Sequence, residues 1–288
     1  MAASPPLPKQ VGARVRRKED PRLITGTARF TDDVRRPRMV HCRLVRSPHA
    51  HARIVGVDTS AAEAAEGVVR VVTGADVDEA VGGLPVAHKI EGLAEPPHRV
   101  LATDRVRHVG DGVAAVVAET PEAARDAAER VEVEYEELEA AVDVEAAAAD
   151  DGALVHEALG SNVAFEFPYA AGDVDAAFAS APVTFRQRIV NQRQIPFAVE
   201  PRSVVAEYDR GHGKLTVWST SQIPHLLRSQ LAVMLGFPEH KIRVDATEVG
   251  GGFGSKLNVY AEEALAGWLA RETGRPVKWT ATRTEGFQ

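Results

Sequence analysis

Short apolar runs of strand length, separated by glycine, proline and charged turns, dominate the hydrophobic pattern of the chain. In the first half, GVAAVVA at 112–118 is apolar throughout, which predicts a strand buried on both faces. VEVEY at 131–135 alternates with a period of two, which predicts a strand with one face in water. Further strands of the first half are predicted at 39–46, 52–57 and 68–73.

Helix signals occur between these runs. Thr120-Pro121-Glu122 predicts a helix start, because Thr120 can accept a free backbone N–H and Pro121 has no N–H to leave unpaired. In the second half, helices are predicted at 224–235 and 258–272, each followed by a glycine. Strands are predicted at 203–208, 214–218, 241–246 and 276–280. Alternating strands and helices imply an α/β architecture with right-handed crossovers.

Length and composition predict two domains. The chain has 288 residues, and a domain takes roughly 150. An alanine- and aspartate-rich stretch, AAVDVEAAAADDG at 140–152, is typical of a linker. We therefore predict a flexible arm at 1–18, a first domain at 19–139, a linker at 140–152 and a second domain at 153–288.

Charge and cysteine content exclude several classes of protein. With 34 basic and 41 acidic residues the net charge is −7, which argues against a nucleic-acid partner. No apolar run approaches the ~18 residues of a transmembrane segment. Arg16-Arg17 is not followed by the apolar stretch of an export signal, so we predict a cytoplasmic protein. The single cysteine, Cys42, excludes an internal disulfide, an iron–sulfur cluster and a cysteine-based zinc site on this chain.

The glycine-rich sequence GGGFGSK at 250–256 is the sharpest chemical signal. It follows a predicted strand and precedes a predicted helix, where glycines allow close approach of a ligand and N–H groups favour an anion. It is not a P-loop, because Ser255 separates the glycine from Lys256, and it does not have the glycine spacing of a dinucleotide fingerprint. A phosphate-bearing ligand and a tight turn without a ligand both remain open.

Two other patterns give weaker signals. His49 and His51 would share a face on a strand and could pair on a metal, but no third ligand is evident, so ordinary polar positions are favoured and no metal ligand is assigned. Cys42 follows His41, but neighbours on a strand point to opposite faces, which argues against a thiol–imidazole pair.

Several segments, taken together and in order, resemble a known family. EDPRLITG at 19–26, TDDV at 31–34 and VRSPHAHARI at 45–54 resemble the opening of the molybdenum-binding large subunit of the xanthine dehydrogenase, aldehyde oxidase and aerobic carbon monoxide dehydrogenase family. HVGDGVAAVV at 108–117 and VEVEYEE at 131–137 fit it too. The resemblance implies an α+β / α/β fold: an α/β hammerhead domain, then the first, incomplete part of a molybdopterin-binding α/β domain.

The second half carries the site residues that the resemblance implies. WSTSQIPH at 218–225 resembles the family segment whose glutamine approaches the molybdenum centre, and Gln222 is the matching residue. The loop at 250–254 resembles the family's glycine–phenylalanine loop. The resemblance thus implies a molybdenum–molybdopterin cofactor, in the cytosine dinucleotide form, bound by the residues Gln222, Gly251, Gly252, Phe253 and Gly254.

In the family, the molybdenum centre oxidises a substrate carbon with oxygen from water, a glutamate acts as base, and electrons pass to iron–sulfur clusters and FAD. The lone cysteine implies that these carriers lie on partners, an iron–sulfur small subunit and an FAD-binding medium subunit. Xanthine-type enzymes have a substrate-binding glutamate directly after the loop lysine. Leu257 stands there, which argues against purine hydroxylation.

Family large subunits are more than twice as long, and the region carrying the base glutamate has no counterpart in this sequence. We therefore assign no catalytic residue to the chain and expect it to be inactive without the carboxy-terminal part of a large subunit. The expected substrate is a small carbonyl, heteroaromatic or CO-type compound. The alternatives are a truncated, non-catalytic fragment without metal and an α/β protein that binds a phosphorylated small molecule at 250–254.

Overall fold

Ten strands form two sheets in the part of the chain that the computed structural model describes, residues 12–86 and 89–287. The predicted arm at 1–18 lies mostly outside these residues. The strands are β1 (Val40–Arg46), β2 (Ala52–Asp58), β3 (Val68–Thr73), β4 (Arg105–Val106), β5 (Gly112–Ala118), β6 (Glu132–Glu137), β7 (Ser203–Asp209), β8 (Lys214–Ser219), β9 (Ile242–Asp245) and β10 (Val277–Thr280). All the predicted strands are present, and only the two-residue β4 was not predicted.

A seven-stranded sheet in the order β3-β5-β1-β10-β7-β8-β9 runs through both predicted domains, and β4-β2-β6 form the second sheet. β1 of the first domain pairs in parallel with β10 of the second, with Val40 opposite Val277. Most other pairs are antiparallel. Among the described residues, the strand–helix–strand unit expected from the alternation is formed by β8, the helix at Pro224–Met234 and β9, and these two strands pair in parallel. The mixed α/β class is therefore confirmed, with less parallel pairing than the alternation predicted.

The described residues also form eight helices: α1 (Asp20–Ile24), α2 (Ser60–Glu63), α3 (Gly74–Asp78), α4 (Pro121–Ala128), α5 (Val144–Ala147), α6 (Val174–Ser180), α7 (Pro224–Met234) and α8 (Ala261–Thr273). Short 3-10 turns lie at Thr31–Asp33, Glu157–Leu159, Glu239–Lys241 and Glu285–Phe287. α4 starts as predicted, with the Thr120 side chain accepting a hydrogen bond from the Ala123 N–H at 3.1 Å. None of the described helices is long and apolar enough to cross a bilayer.

The main core lies between the large sheet and helices α7 and α8. Leu227, Leu231 and Met234, which share one face of α7, are buried in this core. β5 is buried on both faces, as its continuous apolar run predicted, and residues 113–118 have no exposed surface. Ile242 of β9 and Leu265 of α8 both belong to this core, so the loop between β9 and α8 is held by packed elements on either side.

A buried ion-pair network joins β1 to α8. Arg46 contacts Glu262 at 2.7 Å and Glu285 at 2.8 Å, and Arg202 contacts Glu262 at 2.9 Å. Burial alone would raise the pKa of Glu262, but Arg202 and Arg46 together lower it to about 2. The network thus keeps a charged carboxylate inside the protein where α8 packs on β7 and β10.

Candidate cofactor-binding site

The glycine loop lies in the connection between β9 and α8. Its turns span residues 253–256, and α8 begins only at Ala261, with Tyr260 as its N-cap. The prediction that the helix starts at 258 was therefore three residues early. Because of this separation, the N–H groups of the glycine loop belong to irregular backbone and not to the first turn of the helix.

The backbone of the loop takes left-handed conformations at three of four consecutive residues. Gly251 has φ +96°, Phe253 +51° and Gly254 +90°. Glycine adopts such angles without strain, but for a bulky residue such as Phe253 the left-handed region costs roughly 1–2 kcal/mol. The Phe253 side chain is 72% exposed, so packing in the core does not offset this cost. A strained, exposed residue in a folded loop is typical of a functional site.

Gln222 packs directly against this loop. A Cβ atom on Gly252 would lie 2.4 Å from both Cδ and Oε1 of Gln222, so any larger residue there would displace the Gln222 amide. The Lys256 N–H donates to Gln222 Oε1 at 3.2 Å, and the Gln222 N–H donates to the Lys256 carbonyl at 2.9 Å. Since its oxygen is used in this way, the side-chain amide of Gln222 keeps its Nε2 donor for another group.

Four consecutive backbone donors lie in the loop that Gln222 contacts at Gly252. Among the described residues, no hydrogen bond uses the N–H of Gly251, Gly252, Phe253 or Gly254, or the Nε2 of Gln222. The space beside Gly254 is open, because a Cβ there would meet nothing within 4 Å. The loop and Gln222 therefore present neutral donors to a ligand that carries oxygen acceptors.

A buried ion pair fixes both ends of the loop. Lys256 Nζ lies 3.0 Å from Glu200 Oε2 and donates to the Glu200 carbonyl at 2.9 Å. The same Oε2 accepts the Gly250 N–H at 2.7 Å. Burial lowers the pKa of Lys256, while the Glu200 carboxylate opposes that shift. Sequence reasoning missed Glu200, because a glutamate in AVEPR has no local pattern that indicates a buried ion pair.

Two family models together cover most of the chain. The model described as "Molybdopterin cofactor-binding domain" matches residues 155–288. The model described as "Aldehyde oxidase and xanthine dehydrogenase, a/b hammerhead domain" matches residues 25–139. The chain belongs to this family of molybdopterin-dependent oxidoreductases. The resemblance seen in the sequence is confirmed.

Curated relatives and solved structures agree with this assignment. The chain is 40% identical over 282 residues to the 6-hydroxypseudooxynicotine dehydrogenase complex subunit gamma of Paenarthrobacter nicotinovorans, covering 96% of this chain and 35% of that protein. It is 38% identical over 291 residues to the carbon monoxide dehydrogenase large chain of Afipia carboxidovorans, and the match covers 96% of this chain and 35% of that protein. The crystal structure of quinoline 2-oxidoreductase from Pseudomonas putida 86 superposes with a TM-score of 0.92 at 38% identity, and the match covers 96% of this chain and 35% of that one. The chain spans about a third of the length of these relatives.

The residues present fit a molybdopterin of the kind this family binds. Gln222 and the loop at 250–254 both lie in the segment that matches the cofactor-binding domain, and the fold brings them into contact. Amide and backbone N–H donors suit the oxo and phosphate oxygens of such a group, and the bare backbone at Gly252 and Gly254 permits close approach. The assignment of Gln222, Gly251, Gly252, Phe253 and Gly254 as cofactor-binding residues stays a prediction.

The other candidate residues lie elsewhere and have other partners. His49 Nδ1 lies 3.3 Å from the Glu137 carboxylate, and His51 Nδ1 lies 2.7 Å from the Glu139 carbonyl. Burial raises the pKa of the Cys42 thiol to about 12. The described residues contain no group of three or more His, Cys, Asp or Glu placed to hold a metal ion.

Proposed function

We propose that the chain is part of the large subunit of a molybdenum-dependent hydroxylase and that Gln222 and the glycine loop bind its cofactor. The cofactor we propose is molybdenum–molybdopterin in the cytosine dinucleotide form. The set of donors carries this proposal: four consecutive N–H groups at 251–254 and Nε2 of Gln222 have no partner among the described residues. Such donors recognise oxygen atoms on a ligand.

When bound, the cofactor supplies the redox chemistry and the route for oxygen from water to the substrate carbon. Gln222 Nε2 would donate to an oxygen of the metal centre and add no charge there. The contact of Lys256 N–H with Gln222 Oε1 holds the amide in that orientation. The chain contributes binding and orientation to the reaction, and no side chain of it is assigned as a base.

The substrate we propose is a small carbonyl, heteroaromatic or CO-type compound. Leu257 follows Lys256 and is half exposed beside the loop. An apolar side chain there offers no hydrogen bond to a polar purine edge, so an apolar or weakly polar substrate is favoured over a purine.

Activity would require other polypeptides. Cys42 is buried, and one cysteine cannot hold an iron–sulfur cluster. We propose an iron–sulfur small subunit, an FAD-binding medium subunit and the carboxy-terminal part of a large subunit as partners in a cytoplasmic complex. The relative from Paenarthrobacter is itself described as a complex subunit, and that from Afipia as a large chain.

Metal and pterin analysis tests the proposal. The chain is purified alone and with the products of its neighbouring genes, and molybdenum and pterin are measured by mass spectrometry. We expect both in the complex, a loss of at least tenfold in Gln222→Ala, and no loss in the control Gln230→Ala on α7. Absence of molybdenum from every preparation would favour a non-catalytic fragment. A nucleotide bound tightly by the chain alone would favour a phosphate-binding protein.

A further inference from the structure

Glu263, in the first turn of α8, is a buried carboxyl group that has no part in the proposed function so far. The residue is 7% exposed. Oε1 accepts a hydrogen bond from the Ser219 hydroxyl at 2.6 Å, and Oε2 accepts the Tyr260 N–H at 3.0 Å. No cation of the described residues forms an ion pair with Glu263, and the nearby Arg202 pairs with Glu262 instead. A carboxyl group buried without a counterion is costly, and such groups cluster at functional sites.

One arm of contacts connects Glu263 to the glycine loop. The backbone N–H of Tyr260 is held by Glu263, and the Tyr260 hydroxyl donates to the Ser255 carbonyl. Ser255 in turn donates to the Gly252 carbonyl, through its N–H at 2.9 Å and through its hydroxyl at 2.7 Å. The carboxyl group is therefore connected to the backbone of the loop through two residues.

A second arm connects Glu263 to Gln222. Ser219 is the last residue of β8, and Gln222 follows three residues later in the connection to α7. Ser219 is 1% exposed, so the start of this connection is fixed in the core. The two arms meet where the Lys256 N–H of the loop donates to Gln222 Oε1 at 3.2 Å. The contacts therefore form a closed ring that contains Glu263, the loop and Gln222.

We propose that Glu263 is a positioning residue, which in its ionised form holds Gln222 and the glycine loop at the separation that the cofactor requires. This inference rests on the proposed function. Both partners of Glu263 are donors, and an ionised carboxylate accepts hydrogen bonds more strongly than a neutral acid does. A proton on Oε1 would reverse the contact with Ser219, whose hydroxyl would then have to accept. Loss of the proton thus strengthens both arms together.

The surroundings of Glu263 allow its charge to change near neutral pH. Burial raises the pKa of Glu263 to about 7, while its two hydrogen bonds and the charge of Arg202 oppose the shift and that of Glu262 adds to it. Lys256 lines the same small cavity as Glu263, but its charge is paired. Asn258, also in the lining, is exposed, so the carboxyl group can exchange a proton with solvent.

Release of the cofactor at two pH values tests the proposal. The protein is purified with the products of its neighbouring genes, and the molybdenum and pterin that it retains are followed by mass spectrometry at pH 6 and pH 8.5. Urea below the unfolding transition makes release measurable. Loss of charge on an acceptor weakens a hydrogen bond about fivefold, so the unchanged protein should release the cofactor about fivefold faster at pH 6.

A matched pair of variants separates Glu263 from other titrating groups. Glu263→Gln mimics the protonated acid, so it should release the cofactor at the faster rate at both pH values. The control is Glu272→Gln, which makes the same change at an exposed residue near the other end of α8 and should keep the pH dependence. Faster release at pH 8.5 than at pH 6 in the unchanged protein would overturn the proposal, because repulsion of an anionic cofactor would then outweigh positioning.

Hydrogen exchange distinguishes this inference from the proposed function, because it requires no cofactor. At pH 8.5, peptides covering 219–223 and 250–258 should exchange roughly threefold faster in Glu263→Gln than in the control. Tyr260→Phe breaks only the first arm, so it should accelerate exchange at 250–258 and leave 219–223 unchanged. Accelerated exchange without molybdenum in any preparation would refute the proposed function and support the positioning role. Molybdenum together with equal exchange in all variants would refute the positioning role alone.

Discussion

The ion pair between Lys256 and Glu200 should be the most sensitive point of the candidate site. Nζ and Oε2 are 3.0 Å apart, and the two side chains are 2% and 11% exposed. At an effective dielectric constant of ~20, two unit charges at that distance attract by about 5–6 kcal/mol. Desolvation of both ions offsets most of this attraction. The loss of one partner leaves the other charge buried and unpaired, which costs roughly 3–5 kcal/mol.

Urea unfolding of Glu200→Gln, Lys256→Met and the double variant measures this effect. We expect each single change to lower the free energy of unfolding by about 3 kcal/mol. The double variant should lose at least ~2 kcal/mol less than the sum of the single losses, because it buries no unpaired charge. The pair Arg53–Glu136 is the control: its side chains are 52% and 55% exposed, and Glu136→Gln should cost less than ~1 kcal/mol.

The pH dependence adds an independent check. Burial lowers the pKa of Lys256, and the Glu200 carboxylate opposes that shift, so Glu200→Gln should lower the pKa further. A lysine whose pKa is lower in the folded state gains stability as pH rises, because the unfolded chain then binds more protons. The deficit of Glu200→Gln should therefore shrink between pH 7 and pH 10. Additive single losses, or a deficit that does not change with pH, would refute the reasoning.

Three further outcomes are expected. Gly252→Ala should lower the molybdenum content of the complex at least tenfold, because the new Cβ would displace Gln222. The control Gly56→Ala, whose Cβ would meet no atom within 4 Å, should leave the molybdenum content unchanged. Burial raises the pKa of Glu263 to about 7. Because this carboxyl ionises at lower pH in the unfolded chain, its effect on the free energy of unfolding should be a loss of about 3 kcal/mol from pH 4.5 to pH 7. Urea unfolding of Glu263→Gln should lack that pH dependence. Cys42, buried and with a thiol pKa of about 12, should react with iodoacetamide at pH 8 only as the chain unfolds, which mass spectrometry detects.

The elements that could be predicted from sequence are those with a local cause. β5 follows from a continuous apolar run, and α4 from a capping threonine followed by proline. The hairpin of β7 and β8 follows from two alternating runs around a glycine turn. The pairing of β1 with β10 could not be predicted, because it joins Val40 to Val277 and depends on the packing of the whole sheet. β4, two residues long, is too short to leave a periodic signal.

The same limit applies to the site, because the partner of Lys256 could not be predicted from the sequence. The motif at 250–256 ends in a lysine, which from sequence alone could serve as the cation of a phosphate site. In the structure Lys256 Nζ is buried against Glu200, 56 residues earlier, and is not available to a ligand. The loop therefore offers neutral N–H donors, joined by the neutral amide of Gln222. A site of that kind recognises oxygen atoms by geometry more than by charge, as the proposed cofactor would require.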